Sequence, residues 1–341
     1  MEWCTRVRQH LCAGSEGQAV RHGNVEWVRH LVTVVVAILS ITRASANDST
    51  AELATGGLVF TKNDSIELQA EDLFISTKEI RVRYHFINKS RNDIITQVAF
   101  PMPDIHFENA DGDVAIPTTD PQNILGFTTT VDNRPVAASV EQKAFAAGVD
   151  RSELLRRLGV PIGADTTALD RLPRQTWDEL ARHGLAGIDE YQVGTRTERH
   201  LKPRWTLKTT FFWQQTFPAK QTVVIDHRYS PSVGGTVPLE AASLMGVLKE
   251  HPQYCADAEF MNALNTKRSW EQRFLEYILT TGANWSGPIK DFRLVVDKGS
   301  PANLVSFCAH GVRRISPTQF EMHVSNFCTD LKLIRSYFGS V

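Results

Sequence analysis

The chain has 341 residues, of which 37 are basic and 38 acidic, so its formal net charge is −1 at pH 7. This balance argues against nucleic acid as a partner, because phosphate binding needs a concentrated basic patch. The sequence also lacks the runs of Lys and Arg that dock on anionic membranes. The length is sufficient for the cores of one large or two ordinary domains.

The N-terminal part has the three parts of a secretory signal peptide. An apolar run from Leu31 to Ile41 follows Arg29 and precedes the small residues at 44–46. The run is about eleven residues long, whereas a helix needs about 20 to cross a bilayer. We therefore predict a cleaved leader over residues 1–46, a mature chain without a transmembrane span, and a periplasmic or extracellular location.

The leader is preceded by residues that do not fit a signal peptide. Residues 1–24 are polar and show no periodicity, although a signal peptide normally begins at the N-terminus. We interpret 1–24 as an over-extended gene start and 25–46 as the signal peptide, with Val28 as an alternative initiator.

Downstream of the leader, apolar residues recur with a period of two, which is typical of half-buried β-strands. Such strands are predicted at Ile80–Phe86, Ile94–Phe100, Phe127–Val131, Val136–Val140, Trp205–Trp213 and Val223–Tyr229. We expect the first two to form one hairpin and the next two another, around the turn at 132–135. Repeated short strands predict a mainly β fold, namely an antiparallel β-sandwich that is one large sandwich or two adjoining ones.

Helical patterns interrupt the strands in two places. Capping-box-like starts at Asp150 and Thr176 predict an inserted pair of short helices within a segment at about 141–200. We interpret this insertion as a plug over one end of the sandwich, or alternatively as a lid. A further short helical segment is predicted between 236 and about 275.

The chain is thus divided into two predicted parts after the leader. The first is a β-sandwich over 47–235 that contains the insertion. The second, 236–341, has short helices followed by a β-rich module, which is either separate or the other half of one large sandwich.

An acidic loop follows the prolines at 101 and 103 and includes His106. Its carboxylates are Asp104, Glu108, Asp111 and Asp113. Clustered carboxylate oxygens suit Ca²⁺, so these four residues are a candidate calcium site, with a solvated turn as the alternative. No other cofactor is predicted.

Three further groups of residues have chemistry to offer. Cys308 and His310 share a strand face, as a nucleophile and its base would. In the trio Asp226-His227-Arg228, the alternation assigns His227 to the interior and its neighbours to the opposite face. Trp205, Trp213 and Trp285 are candidate ligand-contact aromatics that stack on sugars if exposed and are core residues if buried.

Common catalytic motifs are missing from the sequence. It has no Gly-x-Ser-x-Gly elbow, no His-Glu-x-x-His helix, no phosphate-binding glycine loop and no Cys-x-x-Cys. We therefore predict no catalytic residues.

Cysteines downstream of the leader are three in number: Cys255, Cys308 and Cys328. An odd number in an oxidising compartment favours one disulfide and one free thiol. The spacing of the three residues does not choose the pair.

Several segments together resemble a known family. They are Val98–Pro103, Leu125–Phe127, Phe217–Ala219, His227–Gly235, Tyr277–Trp285 and Ser306–Cys308. They resemble the secreted proteobacterial family named domain of unknown function 4424, over nearly the whole mature chain. The resemblance implies a Gram-negative periplasm or exterior and brings no activity with it. It also implies a Cys255–Cys308 disulfide, because cysteines recur at these positions in the family, and leaves Cys328 free.

A more distant resemblance covers about a quarter of the chain. Phe86–Ser90 and Phe100–Pro103 are similar to the vault/inter-alpha-trypsin type of β-domain. That resemblance implies a sandwich built for contacts, by analogy of fold.

The function predicted from the sequence is a secreted, non-enzymatic binding or scaffold module of the cell envelope. Its expected partner is an envelope protein or a glycan. The alternatives are a hydrolase that acts on envelope polymers in a cleft beside the insertion, and a carbohydrate-binding module that uses Trp285.

Overall fold

The computed structural model describes residues 49–54, 57–107, 116–163, 166–279, 284–328 and 333–340. The predicted leader, 1–46, lies outside these residues, so its processing remains a prediction. The described residues all belong to one compact unit. No helix among them has the length and hydrophobicity needed to cross a membrane.

Most of the described chain is β-structure. The strands are β1 (Ser49–Ala54), β2 (Gly57–Thr61), β3 (Ile66–Ser76), β4 (Ile80–Asn88), β5 (Ile94–Pro101), β6 (Ile105–His106), β7 (Thr128–Val131), β8 (Arg134–Val136), β9 (Ser139–Ala146), β10 (Val149–Asp150), β11 (Ala186–Val193), β12 (Arg196–Pro203), β13 (Thr206–Phe217), β14 (Thr222–Tyr229), β15 (Gly234–Glu240), β16 (Ser269–Ile278), β17 (Ile289–Asp297), β18 (Leu304–Phe307), β19 (Arg313–Arg314), β20 (Gln319–Phe327) and β21 (Leu333–Ser340).

The helices are short. They are α1 (Ser152–Arg157), α2 (Thr166–Asp170), α3 (Arg174–Arg182), α4 (Ala241–Glu250) and α5 (Ala258–Leu264), with a 3₁₀ turn at Pro252–Tyr254.

Two large sheets form a sandwich. The seven-stranded sheet has the order β10-β9-β13-β5-β1-β2, with β6 beside β13, and the eight-stranded sheet has the order β19-β20-β17-β3-β4-β14-β7-β8. Aromatic rings join their facing sides: Phe86 lies 5.9 Å from Phe217 and Phe100 lies 6.1 Å from Tyr229, between ring centroids. The strand pairs are antiparallel apart from β3 with β17, which run parallel. The predicted mainly β, antiparallel sandwich is confirmed.

The predicted hairpin of Ile80–Phe86 with Ile94–Phe100 is wrong. Strand β4 pairs with β3 and β14, whereas β5 pairs with β1 and β13 in the opposite sheet. The chain therefore crosses from one sheet to the other between β4 and β5. The buried Asn88 fixes this connection, because its Nδ2 donates to the carbonyls of Asn92 and Phe217, both at 2.8 Å. Alternation identified the buried face of β4 correctly, whereas β5 is buried on both faces towards its end and does not alternate.

The second predicted hairpin exists, but its turn is 132–133 and not 132–135, and Val140 of the predicted return strand lies on β9 in the opposite sheet. Strands β7 and β8 pair directly, with Val131 opposite Arg134. The two residues between them, Asp132 and Asn133, have φ of 47° and 63°. Two consecutive positive φ values are what a two-residue hairpin turn requires, and Asp and Asn tolerate them better than most residues.

The insertion contains more than the predicted pair of helices. Three helices, α1, α2 and α3, precede the hairpin of β11 and β12, which forms a two-stranded sheet of its own. The helix predicted at Thr176 begins at Arg174, after Pro173, whose fixed φ suits a helix start. The hairpin escaped prediction because most of its residues are exposed, so little apolar alternation marks it.

A smaller core lies beside the four-stranded sheet β15-β16-β21-β18. Helices α4 and α5 cover it, and Trp270 is buried there with its Nε1 donating to the Leu264 carbonyl at 2.9 Å. The predicted disulfide is confirmed, since Cys255 and Cys308 are bonded, with 5.1 Å between their Cα atoms. In the full chain Cys328 is disulfide-bonded as well, so the prediction of a free thiol applies only after removal of the leader, which holds the other two cysteines of the sequence.

Candidate functional site

A cavity with a volume of about 650 Å³ lies on the outer face of the eight-stranded sheet. We call it the arginine groove. Its lining comprises Asp72, Phe74, Arg81, Val82, Arg83, Thr128, Thr130, Asn133, Asp226, His227, Arg228, Arg293, Val295 and Gln319. Charged side chains reach it because alternate residues of a strand point away from the core.

One row of the groove consists of paired opposite charges. In register across β14, β4, β3 and β17 stand Asp226, Arg83, Asp72 and Arg293. The Arg83 Nε donates to Asp226 Oδ1 at 2.6 Å, and the Arg293 Nη1 donates to both oxygens of Asp72 at 3.1 Å. The bond to Asp226 raises the pKa of Arg83. We call these four residues the paired row.

Glu321, on β20 opposite Val295, is bonded diagonally to Arg293 of the paired row. It is 6% exposed and accepts from Arg293 Nε at 2.8 Å and from Arg313 Nε at 2.7 Å. These two hydrogen bonds hold the pKa of Glu321 below its usual value, and the bond from Arg293 has the larger effect. The same carboxylate bond raises the pKa of Arg293.

The neighbouring row has more positive than negative charge. Arg228 stands directly opposite Arg81, which is followed across the sheet by Phe74 and Val295. We call these four residues the arginine row. Like charges opposite one another on adjacent strands repel, so their common register needs a compensating anion.

Glu79, in the turn between β3 and β4, supplies part of that compensation. Its two oxygens each lie 3.1 Å from a guanidinium Nε, one of Arg81 and one of Arg228. The Arg81 guanidinium also stacks over the Phe74 ring, 4.3 Å from its centroid. Among the described residues, neither guanidinium donates a hydrogen bond, so one carboxylate serves two arginines through ion pairs alone.

The trio Asp226-His227-Arg228 is divided between the two faces as predicted. Asp226 and Arg228 lie in the groove, while His227 is 2% exposed and its ring packs against aromatic rings of the core. The other oxygen of Asp226, Oδ2, is covered and has no hydrogen-bond partner among the described residues.

The candidate ligand-contact tryptophans are all buried. Trp285 is 1% exposed against Phe86 and Phe217, with ring centroids 4.5 and 6.0 Å away. Trp205 is 0% exposed and its Nε1 donates to the Ile162 carbonyl at 3.0 Å, and Trp213 is 5% exposed. In this structure their rings complete the core and offer no face to a ligand.

The candidate calcium residues are only partly described. Asp104 forms an ion pair with Lys208, Oδ2 to Nζ, at 2.6 Å. Glu108, Asp111 and Asp113 lie outside the described residues, so the calcium site remains a prediction. In the described ranges no three His, Cys, Asp or Glu side chains cluster as metal ligands would.

Two predicted sites remain, namely the Cys308–His310 pair and the cleft beside the insertion. Cys308 is held in its disulfide, which removes the thiolate that a nucleophile with His310 would need. The cleft beside the insertion has a volume of about 320 Å³ and is lined by Pro121, Gln122, Val140, Gln142, Arg156, Val160, Pro161 and Ile162. Within that lining, Arg156 is the charged residue.

The sequence indicated only part of the groove. Arg81 and Arg83 stand out as the charged members of an alternating strand, but Asp72 and Arg293 meet them through pairings across the sheet. The parallel pairing of β3 with β17 joins residues 221 positions apart. No local signal in the sequence marks such a contact.

The family match agrees with the segments quoted above. The profile of DUF4424, described as a domain of unknown function, matches residues 46–334. The chain belongs to this family. No curated protein matches it. The likeness to vault/inter-alpha-trypsin β-domains remains a prediction.

A distant likeness to a solved structure is also found. A crystal structure from Legionella pneumophila, described as a candidate nutrient binding protein, has 14% identity and a TM-score of 0.46 over 86% of this chain and 70% of the other. At this distance the likeness carries no argument about fold or function.

Proposed function

We propose that this DUF4424 protein is a secreted, non-enzymatic binding module of the bacterial cell envelope and that its ligand occupies the arginine groove. The observation that carries the proposal is the groove itself. Its volume of about 650 Å³ falls in the range of small-molecule sites.

The groove is held in shape before any ligand arrives. Its charged side chains stand on four hydrogen-bonded strands, and Arg83 and Arg293 are fixed by carboxylates of neighbouring strands. Sites built on strands and locked by ion pairs keep a more precise geometry than sites on loops. A preformed polar site costs little ordering when it binds.

The compartment is supported by two independent features. The apolar run at 31–41 has the length and flanks of a secretory leader. The Cys255–Cys308 disulfide suits the periplasm or the exterior, where disulfides persist.

The two alternatives have weaker support in the described residues. A hydrolase needs an acid and a base in reach of its substrate, and the cleft beside the insertion offers Arg156 as its charged residue. A carbohydrate module that stacks sugars on Trp285 needs that ring exposed, and it is buried.

Site-specific photocrosslinking in living cells tests the proposal. A benzophenone amino acid replaces the half-buried Phe74 at the groove or, as the matched control, the half-buried Phe212 on the outer face of the seven-stranded sheet. We expect a ligand adduct at position 74 alone, on protein from the envelope fraction whose N-terminus is Asn47. Equal labelling at both positions, no adduct at 74, or a cytoplasmic chain that retains residues 1–46 would overturn the proposal.

A further inference from the structure

The two rows of the arginine groove differ in the hydrogen-bonding capacity that they leave for a ligand. Arg83 and Arg293 already donate to carboxylates of the protein. Arg81 and Arg228 share Glu79 through their Nε atoms, at 3.1 Å each. A guanidinium has five N–H donors, so both retain terminal amino groups for a ligand.

Register places these two guanidiniums where one anion reaches both. Arg81 and Arg228 stand directly opposite on adjacent strands, and side chains in such positions are about 5 Å apart at Cβ. An oxyanion between them would relieve their mutual repulsion and accept charge-assisted hydrogen bonds from both. Carboxylates and phosphates fit the planar fork of Arg particularly well.

The rest of the lining is rich in uncharged polar groups. Thr128 lies opposite Arg228 in the arginine row, and Thr130 lies opposite Asp226 in the paired row. Asn133 and Gln319 complete the rim. Thr128 offers its hydroxyl within the arginine row, and Thr130 offers another about 7 Å away, two residues along the strand. Such hydroxyls suit a ligand that itself carries several hydroxyl groups.

We propose that the ligand of the arginine groove is an anionic sugar. Its carboxylate or phosphate lies between Arg81 and Arg228, and its hydroxyls meet Thr128 and Thr130. This inference rests on the proposed function and names the chemical class that the same site takes.

Calorimetric titration of the purified protein with three hexoses tests the class. Glucose, glucuronate and glucose 6-phosphate share a ring and differ only at carbon 6. This carbon carries a hydroxyl in glucose, is a carboxylate in glucuronate and carries a phosphate ester in glucose 6-phosphate. We expect both anions to bind more tightly than glucose. The stronger of the two identifies the carboxylate or the phosphate as the preferred oxyanion.

Substitutions of the two arginines test whether these side chains cause the preference for anions over glucose. Loss of one charge-assisted hydrogen-bonding partner is expected to weaken anion binding about tenfold in Arg81→Gln and in Arg228→Gln, with glucose unaffected. Arg273→Gln is the matched control. Arg273 also stands on a strand and pairs with the acid two residues earlier, Glu271, and its side chain is 45% exposed against 46% for Arg81. Thermal unfolding of each variant verifies that it is folded.

The proposal is overturned if the anions bind no more tightly than glucose at millimolar concentration. It is equally overturned if Arg81→Gln and Arg228→Gln keep the anion preference, or if Arg273→Gln removes it. An adduct at position 74 in cells without an anion preference would leave the groove as a binding site for another ligand class. An anion preference without such an adduct would retain the subsite and overturn the proposed function.

Discussion

The inner and outer faces of the eight-stranded sheet are built from alternate residues of the same strands and have opposite physical character. On β4, Tyr84 and Phe86 point into the core, and Arg81 and Arg83 point into the groove. On β14, His227 points inward between Asp226 and Arg228. The core and the proposed ligand site therefore use interleaved residues, which single substitutions can separate.

The inner face gains its free energy from close packing. The His227 ring lies 4.7 Å from Phe100 and 5.1 Å from Phe127, between centroids. Removing large side chains from such a core leaves cavities that cost several kcal/mol. The outer face gains little from its exposed ion pairs, typically about 0.2–1 kcal/mol each, so substitutions of its arginines should cost little stability.

The largest expected effect is on the inner face. Phe86→Ala removes a fully buried ring that contacts Phe217 and Trp285. We expect the free energy of unfolding to fall by about 3–5 kcal/mol, measured by urea denaturation. Arg83→Ala, on the outer face of the same strand, is the control and should cost at most about 1 kcal/mol. Similar losses for the two variants would contradict the division between the faces.

The next-largest effect is expected at a disulfide that lies outside both faces of the eight-stranded sheet. The Cys255–Cys308 disulfide closes a loop with a sequence separation of 53. Replacing both cysteines by Ser should lower the free energy of unfolding by about 2–4 kcal/mol, because the unfolded chain gains conformational freedom. Denaturation curves measure the loss, and anion affinity in the groove serves as the control. A changed affinity would show that the four-stranded sheet influences the groove.

The third prediction concerns Glu321, whose carboxylate is buried and bonded to Arg293 and Arg313 on the outer face. Because it is buried, we expect its ion pairs to stabilise the fold by more than a typical exposed ion pair does. Its pKa is lowered in the folded protein, so its stabilisation is present above the usual Glu pKa of about 4.3 and is lost as pH falls through the lowered value. Glu321→Gln should be less stable than the parent by about 1–2 kcal/mol at neutral pH. Urea denaturation at neutral and acidic pH should show the difference shrinking with acid. A difference independent of pH would contradict this account.

The smallest effect concerns the insertion, where a surface pair holds the β11–β12 hairpin. His200 Nδ1 and Asp170 Oδ2 lie 2.6 Å apart, and Asp170 Oδ1 accepts from the Leu201 amide at 2.7 Å. The bond to Asp170 raises the pKa of His200, so its stabilisation is full below the usual His pKa and is lost as pH rises through the folded value.

Hydrogen exchange of the β12 amides measures this loss, after correction for intrinsic exchange rates. Protection should fall at alkaline pH, whereas β4 amides should keep theirs. Asp170→Asn should reduce protection of β12 at all pH values. Uniform protection across the pH range would show that the hairpin is held by other contacts.

Part of the site was predictable from local patterns. The alternation around Arg81 and Arg83 identifies a solvent face, and the same rule separates His227 from Asp226 and Arg228. Alternation shows which face of a strand is buried but does not show which strands are its neighbours. The predicted pairing of β4 with β5 is wrong for this reason, and for the same reason the contact of Arg293 with Asp72 has no signal in the sequence. The exposed β11–β12 hairpin gave too weak an apolar signal to be recognised.

The sequence by itself determined the strand-rich class, the place of a turn within 132–135 and the family, from which the Cys255–Cys308 pair followed. These depend on local backbone preferences and on segments contiguous in the chain. The tertiary structure alone decided that β17 lies parallel to β3 and that Arg228 stands opposite Arg81. Such contacts join distant segments through packing of the whole core, so the groove exists only once both sheets have assembled.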